Sequence, residues 1–325
     1  MILLRALCVA SAIMLTIFGL GAAAADQWPE RSILVISPFA AGAANDIIAR
    51  VVLDQAAHEL GQPFVIENRP GAGGVVGAAS VSRAKPDGYT LLLAAGAMSA
   101  AVILHKSLPY DTLHDFTGIA MLGVQPSVLV SAPSKGFKTV ADLVAAAKGN
   151  PGALNFASAG IGSASHIAGE RFVLSAQIDV QHIPYNSPVQ AFADLMTGRT
   201  DFYVVPITPV IPLIEQGKMT ALAVSTPKRS PLLPNVPTFA EAGYPDAAYL
   251  FWGGVVAPAK TPRDVVDKIH DVVQKALDAP DVQEKLAHLG VSPDPMTPEQ
   301  FDKFFADDVA TTIAIGKAAH IEPTE

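Results

Sequence analysis

Two stretches of this sequence have the residue types and spacing to hold an anion without a basic side chain. The first is Ser37-Pro-Phe-Ala-Ala-Gly-Ala-Ala-Asn-Asp46. An apolar strand, Ile33–Ile36, runs into it, and an amphipathic helix carrying Ile47, Ile48, Val51 and Val52 runs out. Pro38 has no N–H to give to a ladder, and Gly42 among alanines lets the backbone turn tightly. A helix that opens this way presents unpaired N–H groups and about half a positive charge, enough to take a carboxylate or phosphate. The second stretch is Asn155-Phe-Ala-Ser-Ala-Gly-Ile-Gly-Ser-Ala-Ser-His166. Here a strand ends in small residues and Ser163 stands at the N-cap position of a helix. The hydroxyls of Ser158, Ser163 and Ser165 and the N–H groups around Gly162 could converge on one anion. The two turns are expected to face each other.

A hydrolytic reading competes for the same residues, with Ser163 or Ser165 as nucleophile and His166 or His182 as base. It lacks the Gly-x-Ser-x-Gly elbow, and a Ser–His pair must be found in space rather than in sequence. Gly71-Ala-Gly-Gly-Val-Val-Gly77 imitates a dinucleotide turn, but the third glycine falls on Val76 and the stretch follows Arg69-Pro70, not a strand. The eight histidines include no close pair, and Cys8 is the only cysteine. No metal centre, disulfide or cofactor is therefore expected.

The elements that must position these turns alternate along the chain. Strands are expected at 64–67, 90–94, 154–157, 180–183, 201–205, 221–225 and 253–257, and 118–124 and 127–131 read as paired strands around Gln125-Pro126. Helices are expected at 77–84, 140–148, 164–176, 188–197, 210–216, 263–277, 282–289 and from Thr297 towards Ala319. Such alternation argues for βαβ units. The uncharged run from Gly88 to Leu104, interrupted by Gly96, Met98 and Ser99, reads as a buried strand, a turn and a helix start. A Pro-rich link, 227–245, suggests a crossing back between two lobes.

Residues 1–25 have the anatomy of a cleavable signal peptide: Arg5, the apolar run Ala6–Leu20 and Ala23-Ala24-Ala25. Export in soluble form with cleavage after Ala25 is expected. The formal charge of the chain is −8, and charged residues are 16% of it. An acidic chain with no basic stripe is a poor partner for nucleic acid or anionic lipid.

Several motifs, in order along the chain, are shared with one family. They are Trp28-Pro-Glu-Arg-Ser-Ile-Leu-Val-Ile-Ser-Pro-Phe39, Glu67-Asn-Arg-Pro-Gly-Ala-Gly-Gly74, Pro86-Asp-Gly-Tyr-Thr90 and Leu108-Pro-Tyr-Asp111 with Asp115-Phe116. They continue through Asn155-Phe-Ala-Ser-Ala-Gly160, Gly162-Ser163 with His166, Pro184-Tyr185, Ala221-Leu-Ala-Val224, Pro234-Asn-Val-Pro-Thr238 with Glu241-Ala-Gly243, and Ala257-Pro258 with Thr261-Pro262. The chain thus resembles the Bug-type receptors (Bordetella uptake gene family), the periplasmic solute-binding subunits of tripartite tricarboxylate transporters.

The resemblance implies an α/β, type II periplasmic-binding fold. Each lobe would be a mostly parallel sheet flanked by helices, with lobe 1 at 26–125 plus 232–325 and lobe 2 at 126–231. It implies a small di-, tri- or aromatic carboxylate held in the cleft without turnover, and delivery to membrane permease subunits by a monomer. A cleft enzyme is the alternative. The expected ligand contacts are Phe39, Ala41, Gly42, Asn45 and Asp46 in the first turn, and Ser158, Ala159, Gly162, Ser163 and His166 in the second. Ser99, Tyr185 and Val205 complete the set. Two departures stand out: Ala41 and Ala43 replace the second Pro and Gly of the family's usual Pro-Phe-Ala-Pro-Gly-Gly. Val204-Val205 stands where a strand usually ends in Phe-Asp, which makes that wall less polar. Asp46 has two readings: a charge that complements the α-helix dipole and leaves ligand affinity alone, or, the one preferred, a charge at the cleft mouth that discriminates between ligands.

Overall fold

The structure is a computed structural model that describes residues 28–185 and 187–323. The expected signal peptide and its cleavage site lie outside the described residues.

The chain begins with β1 (Ile33–Ser37), α1 (Ala44–Leu60), β2 (Phe64–Asn68), α2 (Val75–Ser82), β3 (Thr90–Ala95) and α3 (Gly96–Leu104). β1 is apolar on both faces and lies between β2 and β3, parallel to each, with Ile33 opposite Phe64 and Leu34 opposite Thr90. A strand buried on both faces reads as such a continuous apolar run. Ile48, Val52, Leu53 and Ala56 of α1 close one side of this sheet; of the apolar residues expected to form the stripe, Ile48 and Val52 are buried, Val51 is half-buried and Ile47 is exposed.

The next strand, β4, is a single run from Phe116 to Ser131. The two paired strands expected there are one strand, because Gln125-Pro126 does not turn the chain. Pro126 sits where β4 changes partners: its carbonyl accepts from the Ile207 N–H at 3.0 Å, and its missing N–H is not needed at that junction. Residues 116–126 pair with β9 (Leu250–Pro258), and residues 127–131 with β7 (Phe202–Pro206) and β8 (Thr220–Val224), all antiparallel.

Between β4 and β9 run α4 (Val140–Gly149), β5 (Asn155–Ser158), α5 (Ala164–Ala176), β6 (Gln181–Pro184), α6 (Pro188–Met196), β7, α7 (Ile211–Glu215) and β8. β5 is parallel to β6 and β7. The result is a mixed nine-stranded sheet in the order β2-β1-β3-β9-β4-β7-β5-β6, with β8 also on β4. Its two arms are parallel and its middle antiparallel, and helices cover the arms.

Three helices end the chain: α8 (Arg263–Asp278), α9 (Pro280–His288) and α10 (Pro298–Ala318). α10 starts at Thr297 as expected, in a capping box with Gln300. Its Phe301, Phe305 and Val309 pack in the first half of the molecule and its Ile315 in the second. Phe239, Ala247 and Tyr249 belong to the second half's core. Within the Pro-rich link, Thr238 bridges to Val224 of β8, and the Phe239 N–H donates to the Val224 carbonyl at 2.9 Å. Among the described residues, no helix is long and apolar enough to cross a membrane.

A candidate carboxylate site between two helix N-termini

β1 delivers the chain into the first turn, where Gly42 takes φ +81° and α1 begins at Ala44. No side chain caps α1, and the N–H groups of Ala44, Asn45 and Asp46 find no acceptor among the described residues. Asn45 is half-buried against Gly253 of β9, where a Cβ would stand 2.7 Å from Asn45 Oδ1. Phe39 packs on the first core and its carbonyl accepts from Asn68 Nδ2 at 3.1 Å. Ala41 is exposed.

Asp46 does not stand at the cleft mouth. It is 1% exposed, and both carboxylate oxygens are taken. Oδ2 accepts from the Gly42 N–H at 2.9 Å and Arg50 Nε at 3.0 Å, and Oδ1 from Asn68 Nδ2 at 2.7 Å and Arg50 Nη2 at 3.2 Å. Burial alone would push this carboxyl up, but the hydrogen bonds from Arg50, Gly42 and Asn68, with the Arg50 charge, outweigh it and hold the group below its usual range. Asp46 shapes the turn and uses the Gly42 N–H to do so, which leaves that N–H unavailable to a ligand.

β5 and α5 frame the second turn. Ser163 is the N-cap as expected, accepting from the His166 N–H at 3.2 Å. Its Oγ lies 3.1 Å from Ser165 Oγ, which accepts from the Ala159 N–H at 3.0 Å. The N–H groups of Ala164 and Ser165 have no acceptor among the described residues. Gly162 is different: its N–H donates to His166 Nδ1 at 3.0 Å. His166 is buried at 3% exposure, with Nε2 3.4 Å from Glu170, and it braces the turn from behind. Ser158 is fully buried and its Oγ meets His182 Nε2 at 2.6 Å.

His166 and His182 stack with centroids 3.8 Å apart. Burial, reinforced by His166, pushes His182 down to about 3. The Ser–His contact in this turn therefore belongs to Ser158, not to Ser163 or Ser165. Ser158 is 0% exposed, its Oγ also donates to the Gly160 carbonyl at 3.1 Å, and Phe156 stacks on His182 at 4.8 Å.

Two other expected contacts also have different partners. Ser99, fully buried, donates to Asp308 Oδ2 at 2.5 Å, and Trp252 Nε1 donates to the same oxygen at 3.2 Å. The Tyr185 hydroxyl donates to Asp194 at 2.9 Å.

Three cavities adjoin the turns. One of about 360 Å³ is lined by Ala159, Ser163, Ala164, Ser165, Tyr203 and Val205, together with Pro188, Phe192, Pro206, Pro209 and Phe251. A second, of about 340 Å³, is lined by Gly42, Ala44, Ile47, Gln125, Pro206, Thr208 and Pro209, among others. Pro206 and Pro209 are common to both. A third, of about 220 Å³, puts Gly162 and Ser163 opposite Ala97, Leu104 and His105. A larger hollow of about 410 Å³ lies beside Arg50, Phe64 and Lys285 and includes neither turn.

Phe192, Tyr203 and Phe251 escape sequence reasoning because nothing nearby marks them; they converge from α6, β7 and β9. Arg50 also escapes sequence reasoning; its place one helical turn beyond Asp46 is the signal that marks it. Asn68 lies in a recognised motif whose role only the β1–β2 pairing reveals. Among the described residues, no cluster of His, Cys, Asp or Glu could hold a metal ion.

Two helix N-termini opening on adjoining cavities of a two-armed α/β sheet define a solute-binding protein. The chain belongs to the tripartite tricarboxylate transporter receptor family, whose sequence pattern matches residues 48–321. Protein BugT of Bordetella pertussis is 36% identical over 88% of this chain and 88% of its own. An R. palustris protein solved with adipate is 30% identical with a TM-score of 0.77, over 91% of this chain and 99% of its own. MatC from Rhodopseudomonas palustris, solved with bound malate, is 32% identical with a TM-score of 0.75, over 89% and 99%.

Proposed function

We propose that the protein is a periplasmic receptor that captures a small carboxylate between two lobes and passes it to the membrane permease subunits of a tripartite tricarboxylate-type transporter. One observation carries this reading: Ala44 at the uncapped start of α1, and Ala164 and Ser165 at the start of α5, line two cavities that share Pro206 and Pro209. A carboxylate in either cavity accepts backbone hydrogen bonds and meets the positive end of a helix. The adipate and malate of two relatives support the ligand class.

The lobes we propose are 28–125 with 250–323, and 126–249. The second crossing is placed at Leu250 instead of 232, because Pro126 pairs with Leu250 in the sheet and the core contacts of 233–249 lie on the second side. Two adjacent crossings make a hinge. Within this reading Asn45, Ala159, Ser163 and Val205 face the ligand, whereas Asp46, Ser99, Ser158, Gly162, His166 and Tyr185 position the walls. Phe39, Ala41 and Gly42 shape the first turn. We further propose export with cleavage after Ala25 and a monomeric receptor, which N-terminal sequencing and light scattering of the exported protein would check.

The alternative, a cleft enzyme, draws on the 2.6 Å Ser158–His182 contact. That serine is buried, and we propose that the ligand leaves unchanged. A thermal-shift series of mono-, di- and tricarboxylates tests the proposal. A ligand at a hundred times its Kd adds about 2.7 kcal/mol; no shift with any carboxylate would contradict it.

A further inference from the structure

Within that reading, we infer that the ligand is a monocarboxylate with a flat apolar body, an aromatic acid, rather than an aliphatic dicarboxylate. The cavity at the second turn has one polar end and one apolar wall. Ser163, Ala164 and Ser165 supply the polar end, with two unpaired N–H groups at the start of α5. Phe192, Val205 and Phe251 supply the wall, and no charged side chain lines the cavity. Its volume, about 360 Å³, falls in the range of small-molecule sites.

The wall is held rigidly. Phe192 packs on Tyr203 with centroids 5.8 Å apart, and Phe251 meets Tyr249 edge-on at 5.1 Å. Tyr203 is 1% exposed, with its hydroxyl 3.4 Å from Ser165 Oγ, so it fixes the ring wall and the polar end to each other. A preformed pocket of this kind loses little ordering entropy when a rigid ring enters.

A second carboxylate carried into this cavity would lose its water against Val205 and Phe251 with no donor to replace it. A dicarboxylate bridging to the amides of α1 would avoid that, but it would leave the ring wall against water. Only a ligand with one charged end and one apolar end matches both parts.

Isothermal titration of the mature protein tests the inference with benzoate, phenylacetate and 3-phenylpropionate against succinate and adipate, and with the amide of the best aromatic acid. The best aromatic acid should bind at least tenfold more tightly than either dicarboxylate, and its amide at least tenfold more weakly than the acid. Phe192→Ala should weaken the aromatic acid about tenfold while shifting the dicarboxylates little. Phe251→Leu is a second variant with the same expected direction, should Phe192→Ala fail to fold. Dicarboxylates that bind as well as the aromatic acids, with affinities for all of them indifferent to both variants, would overturn the inference and leave the carboxylate receptor standing. Failure of every carboxylate to bind would overturn both.

Discussion

Asn68 reaches from β2 to Asp46 in the first turn of α1, its Nδ2 donating to Asp46 Oδ1 at 2.7 Å while also holding the Phe39 carbonyl. One amide thus ties the strand next to β1 to both sides of the opening turn. Arg50, one helical turn on, closes the other side of the carboxylate. The turn is preorganised by its own side chains, and its remaining free groups are amides. Preorganised donors are what an anion site needs.

Asp46→Ala should therefore cost stability and leave ligand ranking alone. Removing a buried carboxylate that accepts charged and neutral hydrogen bonds leaves donors unpaired, at about 1–3 kcal/mol. Urea unfolding reads the loss. Affinities for a mono- and a dicarboxylate should fall by a common factor; a changed ratio would return Asp46 to the ligand.

Gly162→Ala should disturb the second turn through sterics and backbone conformation. Gly162 sits at φ +72°, and a Cβ there would come within 1.9 Å of Leu104 Cδ1. The Leu104 side chain, or the turn itself, would have to move. Ligand affinity should drop at least tenfold, and Leu104→Ala should restore part of it, because the collision is relieved while the left-handed strain of about 1 kcal/mol remains. Equal affinity in wild type and Gly162→Ala would show that this approach is irrelevant to binding.

Stability should fall as the solution is acidified through the histidine range. His182 is pushed down to about 3 when folded and returns to about 6.5 when unfolded. Between those values the unfolded chain takes up a proton that the folded one refuses. The neutral-ring stability is present above about pH 6.5 and is lost below it at a slope of at most about 1.4 kcal/mol per pH unit, reduced because water reaches the half-buried ring. Urea unfolding at pH 7 and pH 5 should show the loss, and His182→Gln should flatten it over that window. A wild-type curve no steeper than the variant's would contradict the half-buried, neutral His182.

Ser163→Ala should lower stability by about 0.5–2 kcal/mol, the usual cost of a lost N-cap. Its Oγ also meets Ser165 Oγ at 3.1 Å, so carboxylate affinity should fall with it. Ser163→Asn, which restores the cap with a different shape, should recover stability but not affinity, as unfolding and titration on the same samples would show.

The local logic of the site was legible in the sequence. Pro38, Gly42, Ser163 and the flanking apolar stripes mark two strand–turn–helix units, and both form. What the hydroxyls and amides bond to was not. Gly162 and Gly42 give their N–H groups to His166 and Asp46, because a side chain four residues further along a helix folds back onto its first turn. Ser99 and Tyr185 carry hydroxyls that sequence alone cannot aim, and they meet Asp308 and Asp194. Pro126 reads as a turn signal but lies inside β4, where the strand changes partners. Phe192, Tyr203 and Phe251 come together only through the sheet order.

The central claim is a carboxylate receptor that binds without turnover. The most direct measurement is equilibrium titration of the mature protein with small carboxylates, followed by recovery and quantification of the bound ligand. The account predicts one molecule bound per chain, loss of binding when the carboxylate is replaced by an amide, and full recovery of the unchanged ligand. Failure of every carboxylate to bind, or recovery of a product whose formation Ser158→Ala abolishes, would contradict it.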